Sequence, residues 1–299
     1  MPGTEPRETP QVKLALPNKG RLAEQAVQLL RDAGLVLDMS DERRLFATAA
    51  REEFLIMFVR AADIPEFVQD GVADAGITGH DIVVEAGKDL EELMDLGFGH
   101  CKLVVAAPED SRIASVKDLP KGARVATSFP NLARRYFEAQ GVEVRIVEVS
   151  GATEVTPHIG VADAIVDLVA TGSTLKVNHL RPVGTILESS ARLVAHKGAQ
   201  RDPAKAAKLR ELVWVLQSVV NAKGKHYVMA NVPRARLDEV GRIMPGISGP
   251  TIVELGGARP DYVAAHAVVA ERDLYHVVRQ LKALGAEGIL VVPVKRLMT

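Results

Sequence analysis

The stretch Asp163–Thr174 contains the residue types with the clearest chemical potential. Its apolar part, Ala164–Val169, predicts a buried strand, and small hydroxylated residues with one glycine follow it. A strand that turns into a helix in this way directs free backbone N–H groups at an anion, and hydroxyl groups add further donors. A monophosphate fits such a loop without a lysine. The loop residues are Thr171, Gly172, Ser173 and Thr174.

The two carboxylates of this stretch, those of Asp163 and Asp167, are four residues apart. Side chains alternate along a strand, so both lie on the same face and are candidate catalytic residues. Ionised carboxylates only accept hydrogen bonds, and the vicinal hydroxyls of a ribose are donors that would satisfy them. The alternative is a helix-capping turn with two solvated aspartates, because short hydroxyl-glycine loops also occur without ligands.

A second candidate anion site is the turn Pro17–Leu22, where Lys19 and Arg21 stand at a predicted strand-to-helix junction and are further candidate catalytic residues. The turn lacks the Gly-x-x-x-x-Gly-Lys-Ser/Thr pattern of a loop that splits ATP. Its two cations could instead hold a diphosphate by charge and by the fork of the guanidinium. The alternative is an exposed basic turn, although cations near a helix N-terminus are unfavourable unless an anion joins them.

Polar residues at the ends of other predicted strands complete the candidate site. Gly71–Gly79 is a tight loop, strand and turn that permits close backbone approach, and Arg124–Phe137 joins a strand to a helix. Taken singly, an arginine at the position of Arg60 is more often a surface residue than a ligand residue. Glu154 could be either a charge on the first turn of a helix or a ligand residue. The candidate substrate-binding residues of these segments are Arg60, Asp74, Thr78, Gly79, Thr127, Asn131, Arg135 and Glu154.

The elements that position these loops are strands alternating with helices, as in a parallel sheet. One run of alternation covers residues 11–107, a second covers 108–183, and 184–223 is predicted to return to the first lobe and to end in an amphipathic spacer helix, Pro203–Val220. The sequence therefore predicts an α/β core of two lobes, with a ligand cleft outside the carboxyl ends of the strands.

The last part of the chain, residues 224–299, has its own pattern. Apolar runs and amphipathic stretches follow one another in the order β-α-β-β-α-β, which is the ferredoxin-like arrangement. A module of this size after a spacer helix is predicted to serve regulation or oligomerisation rather than catalysis.

The composition excludes several classes of protein. Lys plus Arg number 37 and Asp plus Glu 38, and the resulting net charge of −1 gives no reason to expect a nucleic-acid or acidic-membrane partner. The single cysteine, Cys101, excludes an internal disulfide and fits a reducing compartment. Because no apolar run could span a bilayer and Met1–Pro10 is polar, we expect a cytoplasmic protein with a disordered N-terminal tail.

The eight histidines of the chain give no metal-binding or nucleophilic pattern. No His-Glu-x-x-His, Gly-x-Ser-x-Gly or Ser-His-Asp context occurs, and His158, His179 and His196 are predicted to be structural or surface residues. The metal ligands therefore stay unknown at this point, and the chemistry is predicted to depend on binding and positioning.

Four blocks in this order resemble a known family, ATP phosphoribosyltransferase, the first enzyme of histidine biosynthesis. They are Asn18–Leu22, Asp74–Gly79, Arg124–Phe137 and Asp163–Thr174. The resemblance implies that ATP and phosphoribosyl pyrophosphate react with Mg²⁺ as cofactor to give 1-(5-phosphoribosyl)-ATP and diphosphate. It also implies a two-lobed core like that of periplasmic binding proteins.

The module at the end of the chain is similar to the regulatory domain of the family's long form. That resemblance implies feedback inhibition by histidine without a separate regulatory subunit, and assembly into dimers and hexamers. Carried over, Thr171–Thr174 would hold the 5-phosphate, Asp163 and Asp167 the ribose, and Lys19, Arg21 and Arg60 the diphosphate and triphosphate groups. The histidine site would lie near Ile247, Ser248, Gly249, Thr251 and Ala267.

Two other readings use the same sequence features. A two-lobed scaffold could belong to a solute-binding or effector-sensing protein without catalytic activity, because a fold does not determine a function. A transferase like hydroxymethylbilane synthase would need Cys101 as the anchor of its cofactor. Cys101 begins an apolar strand, which favours a small core or surface residue instead.

Overall fold

The computed structural model describes residues 11–37, 46–49, 53–257 and 259–298. The predicted disordered tail, Met1–Pro10, lies outside the described residues. The chain divides into two compact units, Met1–Leu216 and Gln217–Thr299. Among the described residues, no helix has the length and apolar character needed to cross a membrane.

The first unit contains two sheets flanked by helices. Its strands are β1 Val12–Pro17, β2 Phe46–Ala49, β3 Phe54–Val59, β4 Ala75–Gly79, β5 Leu90–Asp95, β6 Cys101–Pro108, β7 Ala123–Thr127, β8 Val144–Glu148, β9 Ala164–Val169, β10 Leu180–Ser189 and β11 Ala191–His196. Its helices are α1 Gly20–Asp32, α2 Ile64–Gln69, α3 His80–Ala86, α4 Pro130–Gln140, α5 Ser173–Val177 and the greater part of α6 Pro203–Ala222.

The first sheet has the strand order β2-β3-β1-β4-β11-β5. Strand β1 lies in its middle and pairs in parallel with β3 and β4, which explains its nearly continuous apolar sequence. Helix α2 packs so closely on β4 that a Cβ at Gly76 would stand 2.5 Å from Ile64 Cγ2. A glycine is therefore required there for the helix to cover the sheet.

The second sheet has the order β10-β6-β9-β7-β8. Strands β7, β8 and β9 run parallel, whereas β6 runs antiparallel to both of its neighbours. Its core contains completely buried side chains from the strands and from α4, among them Leu103, Val125, Ala133 and Phe137. The parallel strands place β9 and the loop after it at one edge of this sheet.

The two lobes are confirmed, but the predicted boundaries between them were misplaced. Residues 102–107 and 184–189 were assigned to the first lobe, and the structure places both in the second sheet as β6 and β10. The chain passes between the sheets at residues 96–100 and again at Ser190. Apolar alternation identifies a strand but not its pairing partner, and the antiparallel pairing of β6 with β10 decides the matter.

Three elements were not predicted: β2, α3 and β5. Helix α3 has seven residues, too few for a clear helical period. Strand β5, Leu90–Asp95, is an edge strand with three acidic residues and one buried side chain, so its sequence lacks the expected alternation.

The second unit confirms the predicted ferredoxin-like module. Its elements are β12 Lys225–Pro233, α7 Leu237–Ile243, β13 Thr251–Glu254, β14 Tyr262–Ala270, α8 Glu271–Ala283 and β15 Glu287–Pro293. The antiparallel sheet has the order β13-β14-β12-β15. Alternate residues of β12 and β14, such as Val228 and Ala265, pack against Val240, Val277 and Leu281 of the two helices.

Candidate functional site

A cleft of about 610 Å³ in the first unit contains the residues with the clearest chemistry. Its wall is built from the start of α1, the start of α3, the segments where the chain passes between the sheets, and the end of β9 with the loop that follows. The lining residues include Arg21, Gly79, Asp81, Cys101, Asp167, Thr171, Gly172, Ser173 and Thr174. The sequence blocks at residues 18–22, 74–79 and 163–174 therefore converge on one cavity.

The loop Thr171–Thr174 has the conformation expected of an anion-binding turn. Gly172 adopts φ +79°, a left-handed conformation that a side chain would strain, and α5 begins at the next residue. No side chain caps this helix. The hydroxyls of Thr171 and Ser173 are 3.0 Å apart, and both side chains are exposed to the cleft. Hydroxyl and N–H donors thus surround the same small space.

Asp167 lies at the carboxyl end of β9, beside this loop, and its side chain is half-buried. Burial raises the pKa of its carboxyl group above the ordinary value, and the negative charge of nearby Glu154 raises it further. A hydrogen bond of 2.8 Å from the Leu168 N–H opposes the shift. Glu154 lies in a short 3₁₀ turn, Thr153–Val155, and is not among the residues that line the cleft, but its carboxylate is near enough to repel that of Asp167.

Asp163 does not belong to the cleft, which corrects its prediction as a catalytic residue. It precedes β9, and one carboxylate oxygen accepts the Arg124 backbone N–H at 2.8 Å. The Arg124 guanidinium also donates to both of its oxygens, at 3.3 and 3.0 Å. These hydrogen bonds hold the pKa of Asp163 below its usual value. The carboxylate therefore joins β9 to β7 at the N-terminal ends of these two strands, away from the loop Thr171–Thr174.

The three predicted basic residues differ in their positions relative to the cleft. Arg21, in the first turn of α1, lines the cleft, and its side chain is exposed there. Lys19 and Arg60 are exposed too, but they lie outside the wall of the cavity. Of these three cations, Arg21 is therefore the one that lines the same cleft as the loop Thr171–Thr174.

Three predicted substrate-binding residues are internal instead. The Thr78 hydroxyl is completely buried and donates to the Ala61 carbonyl at 2.9 Å. The Thr127 hydroxyl, also buried, accepts the Phe129 N–H at 2.9 Å. Asp74 is buried before β4, where its carboxylate accepts the Lys13 N–H and pairs with the Lys205 ammonium at 2.7 Å. Their polar groups are used within the fold, whereas Gly79 does line the cleft.

Replacing Asp74 with asparagine should lower the free energy of unfolding by about 1–3 kcal/mol, because the buried carboxylate would lose its charge-assisted hydrogen bond with Lys205 of α6. Urea denaturation measures the loss, and Asp110→Asn, at a surface position, is the control. Equal free energies of unfolding in Asp74→Asn and the wild type would contradict a structural role for this ion pair.

Asn131 and Arg135 also lie outside the cleft wall. Both side chains donate to backbone carbonyls of α3, at Glu85 and Val84, so they connect the two lobes. Sequence reasoning placed them at a polar strand end but could not identify the partner helix.

The residues missed by sequence reasoning form a group around the start of α3. Asp81 is buried in the wall of the cleft, and its carboxylate accepts the Ser189 hydroxyl at 2.5 Å. Cys101 lies nearby, and burial together with the charge of Asp81 raises the pKa of its thiol. A thiol with a raised pKa is a weaker nucleophile, which argues against Cys101 as the anchor of a covalent cofactor. The sequence signal that could have identified Asp81 is its position, two residues after Gly79.

The predicted histidine-site residues lie together in the second unit. Thr251 of β13 stands opposite His266 of β14, next to Ala267. A Cβ at Gly246 would be 3.5 Å from the Ala267 Cβ and 3.0 Å from the Gly249 carbonyl oxygen. The turn that carries Ile247 and Ser248 therefore packs against β14 at Ala267. Ile247 itself is 56% exposed.

The chain is similar to known proteins along nearly its whole length. The family model described as HisG, ATP phosphoribosyltransferase, matches residues 60–218, and the model of the HisG C-terminal domain matches residues 222–296. The ATP phosphoribosyltransferase of Gemmatimonas aurantiaca is 51% identical over 292 residues, covering 96% of this chain and 99% of that protein. The enzyme of Methanopyrus kandleri is also 51% identical, over 287 residues, with the same coverage.

A solved structure, the ATP phosphoribosyl transferase (HisG:HisZ) complex from Thermotoga maritima, superposes with a TM-score of 0.62 at 31% sequence identity. The match covers 71% of this chain and 99% of that one. Similarity of this extent contradicts the two alternative interpretations, a solute-binding protein and a transferase like hydroxymethylbilane synthase. The chain therefore belongs to the ATP phosphoribosyltransferase family, in the long form that carries the C-terminal domain, and is a transferase of histidine biosynthesis.

Proposed function

We propose that the protein joins N1 of the adenine of ATP to C1 of the ribose of phosphoribosyl pyrophosphate, giving 1-(5-phosphoribosyl)-ATP and diphosphate. One observation supports this most strongly. A single cleft combines an uncapped hydroxyl-rich loop, the Asp167 carboxylate beside it and an arginine from the other lobe. These are the partners required by a phosphate, a ribose and a diphosphate in one molecule.

In the proposed complex, Thr171–Thr174 hold the 5-phosphate through backbone N–H and hydroxyl donors. Asp167 and Glu154 accept hydrogen bonds from the ribose hydroxyls, and Arg21 holds the diphosphate. Lys19 and Arg60, exposed outside the cavity wall, are available for the triphosphate of ATP. Binding of a diol would also relieve the repulsion between the two carboxylates, because each would gain hydrogen-bond donors.

The reaction needs no protein nucleophile. The lone pair of adenine N1 forms the new bond to C1 while the bond from C1 to the diphosphate oxygen breaks, and the electron pair leaves with the diphosphate. The positive charge gained by adenine is removed as a proton from its N6 amino group to water. Positive charge develops on the ribose during the transfer, so Asp167 would stabilise it, and Arg21 would stabilise the leaving group.

The residues present fit Mg²⁺ as the cofactor. Magnesium usually takes one or two carboxylates and completes its shell with water and substrate phosphates, and Asp167 with Glu154 provides such a pair. Among the described residues, no group of three or more acidic, histidine or cysteine side chains would hold a metal by itself. Bound Mg²⁺ would neutralise charge on the diphosphate, so it is expected to arrive with that substrate.

The transferase assay tests the proposal. ATP, phosphoribosyl pyrophosphate and Mg²⁺ are mixed with the protein, and the ultraviolet absorbance change of adenine substituted at N1 is followed together with diphosphate release. Product that requires all four components supports the proposal. Tight binding of phosphoribosyl pyrophosphate with no product and no diphosphate would contradict it.

We also propose that histidine inhibits the enzyme by binding at Ile247, Ser248, Gly249, Thr251 and Ala267. The exposed turn beside Thr251 and the ferredoxin-like unit support a regulatory site there. Thr251→Val keeps the side-chain shape but removes the hydroxyl, so the histidine concentration for half inhibition should rise about tenfold, within the usual coupling range. Activity without histidine should stay unchanged. Unaltered inhibition in Thr251→Val and in Ser248→Ala would contradict this site.

We propose that the protein works in the cytoplasm as a homo-oligomer, either a dimer or a hexamer. Apolar side chains exposed on the second unit support self-association, because a surface of this kind is usually covered. They include Ile252, Val253, Leu290 and Val292. Light scattering after size exclusion should give a multiple of the 32.2 kDa chain, and a monomer with full histidine sensitivity would contradict the proposal.

A further inference from the structure

Helix α4 of the second lobe lacks a cap of its own. It begins with Pro130, and the preceding Phe129 provides no side-chain acceptor. The first free N–H groups of a helix need partners, and here they come from the other lobe. The Glu85 carboxylate of α3 accepts the Asn131 N–H and the Leu132 N–H, each at 2.8 Å and each with its own oxygen.

The second lobe caps α3 in return. The Asn131 side-chain amide donates to the Glu85 carbonyl at 3.1 Å, and the Arg135 guanidinium donates to the Val84 carbonyl at 2.8 Å. These carbonyls belong to the last turn of α3, which lacks intrahelical donors for them. Two helices from different lobes thus satisfy each other's ends, and this reciprocal pair is called the α3–α4 clasp below.

The other end of α3 forms part of the cleft. Gly79, Asp81 and Ile82 line the cavity, and Asp81 binds Ser189 at the end of β10. A helix of seven residues is only about 10 Å long, so it behaves as one rigid piece. The clasp therefore fixes the second lobe to the same short helix that forms one wall of the site.

We infer that Glu85 is a positioning residue for the transferase reaction. The clasp sets the distance between Arg21 on the first lobe and Asp167 with Thr171–Thr174 on the second. This inference rests on the proposed function, because phosphoribosyl pyrophosphate is the ligand that would need both lobes at once. Glu85 has no contact with the cleft itself, since it is absent from the lining residues.

The test compares two ligands in Glu85→Gln. The amide keeps one acceptor oxygen and turns an N–H group towards a helix N–H, so the clasp is broken on one side. Ribose 5-phosphate needs only the second lobe, and phosphoribosyl pyrophosphate with Mg²⁺ needs both. By calorimetry, Kd for phosphoribosyl pyrophosphate should rise about 10- to 100-fold, the cost of a small misplacement, while Kd for ribose 5-phosphate stays within a factor of about two. Glu138→Gln, an exposed carboxylate on α4, is the matched control and should change neither value.

The possible results separate clearly. If both ligands weaken equally in Glu85→Gln, or if neither weakens, the positioning role is overturned. If the variant does not fold, Arg135→Met removes the other half of the clasp and should give the same selective loss. If the wild-type protein binds ribose 5-phosphate but not phosphoribosyl pyrophosphate, the proposed function fails and the inference fails with it.

Discussion

Replacing Asp167 with asparagine should lower kcat by about 10²–10³-fold, the usual cost of removing one preorganised group from a transition state. The variant keeps the size of the side chain and the acceptor for the Leu168 N–H. It removes the negative charge that faces the developing positive charge of the ribose. Transferase rates at saturating ATP and phosphoribosyl pyrophosphate measure the effect, and near-normal turnover would remove Asp167 from the mechanism.

The same change should make the unliganded protein more stable at neutral pH. The pKa of Asp167 is raised in the folded state by burial and by Glu154, so the fold favours the protonated carboxyl. Its ionisation therefore costs stability above the unfolded pKa of about 3.9 and costs none well below it. Asp167→Asn removes that cost. We expect a higher melting temperature than wild type at pH 7 and equal melting temperatures near pH 3.

Asp163→Asn is the matched control and should have the opposite effects. Hydrogen bonds from Arg124 lower the pKa of Asp163 in the folded state, so its stabilising contribution is present above the unfolded pKa and is lost as the pH falls through the folded pKa. The ion pair is more than a third exposed, so the variant should lose only about 1 kcal/mol of stability at neutral pH. Its kcat should stay within about threefold of wild type, far from the loss at Asp167. Equal losses of activity in both variants would contradict the distinction.

Arg21→Met should reduce kcat/KM by about 100-fold or more, because a guanidinium that binds a diphosphate makes charge-assisted hydrogen bonds that strengthen as the leaving group gains charge. The side chain is exposed in the cleft, so the fold should not suffer. Arg31→Met, in the last turn of the same helix, is the control and should leave kcat/KM unchanged. Steady-state kinetics with varied phosphoribosyl pyrophosphate give kcat/KM for Arg21→Met and for the control.

The outcome for Arg21 also decides between two assignments. A loss that appears with varied phosphoribosyl pyrophosphate supports contact with its diphosphate. A loss confined to KM for ATP would instead move Arg21 to the triphosphate and would leave the leaving group without a protein cation.

Local patterns predicted the elements well where the sequence alternates clearly. Strand β9 begins and ends where the apolar pattern indicated, at Ala164 and Val169. The loop after β9 was predictable because small hydroxylated residues and a glycine in the left-handed conformation directly follow a buried strand. The site therefore followed from short-range information at this one place.

The mistaken site residues share a physical reason. Asp163 and Asp74 both precede their strands, and in a parallel sheet the residues before the strands lie at the edge away from the ligand. That rule, applied strictly, would have excluded both. Thr78 and Thr127 do lie at carboxyl ends, but their hydroxyls bond within the fold, which depends on packing that no local pattern reveals.

Long-range contacts were beyond prediction from the sequence. The capping of α4 by Glu85 joins residues 46 and 47 positions apart, and the bond between Asp81 and Ser189 joins residues 108 apart. Nothing in the neighbouring sequence identifies the partners of these residues, because the pairs form only when the two sheets are in place. The pairing of β6 with β10 could not be predicted for the same reason, and the predicted boundary between the lobes was therefore misplaced.

The most direct test of the central claim is an experimental structure of the protein with phosphoribosyl pyrophosphate and Mg²⁺. We predict that the 5-phosphate binds the N–H and hydroxyl groups of Thr171–Thr174, that the ribose hydroxyls contact Asp167, and that Asp163 stays paired with Arg124. A 5-phosphate bound elsewhere, or ribose hydroxyls at Asp163 with Asp167 free, would contradict it.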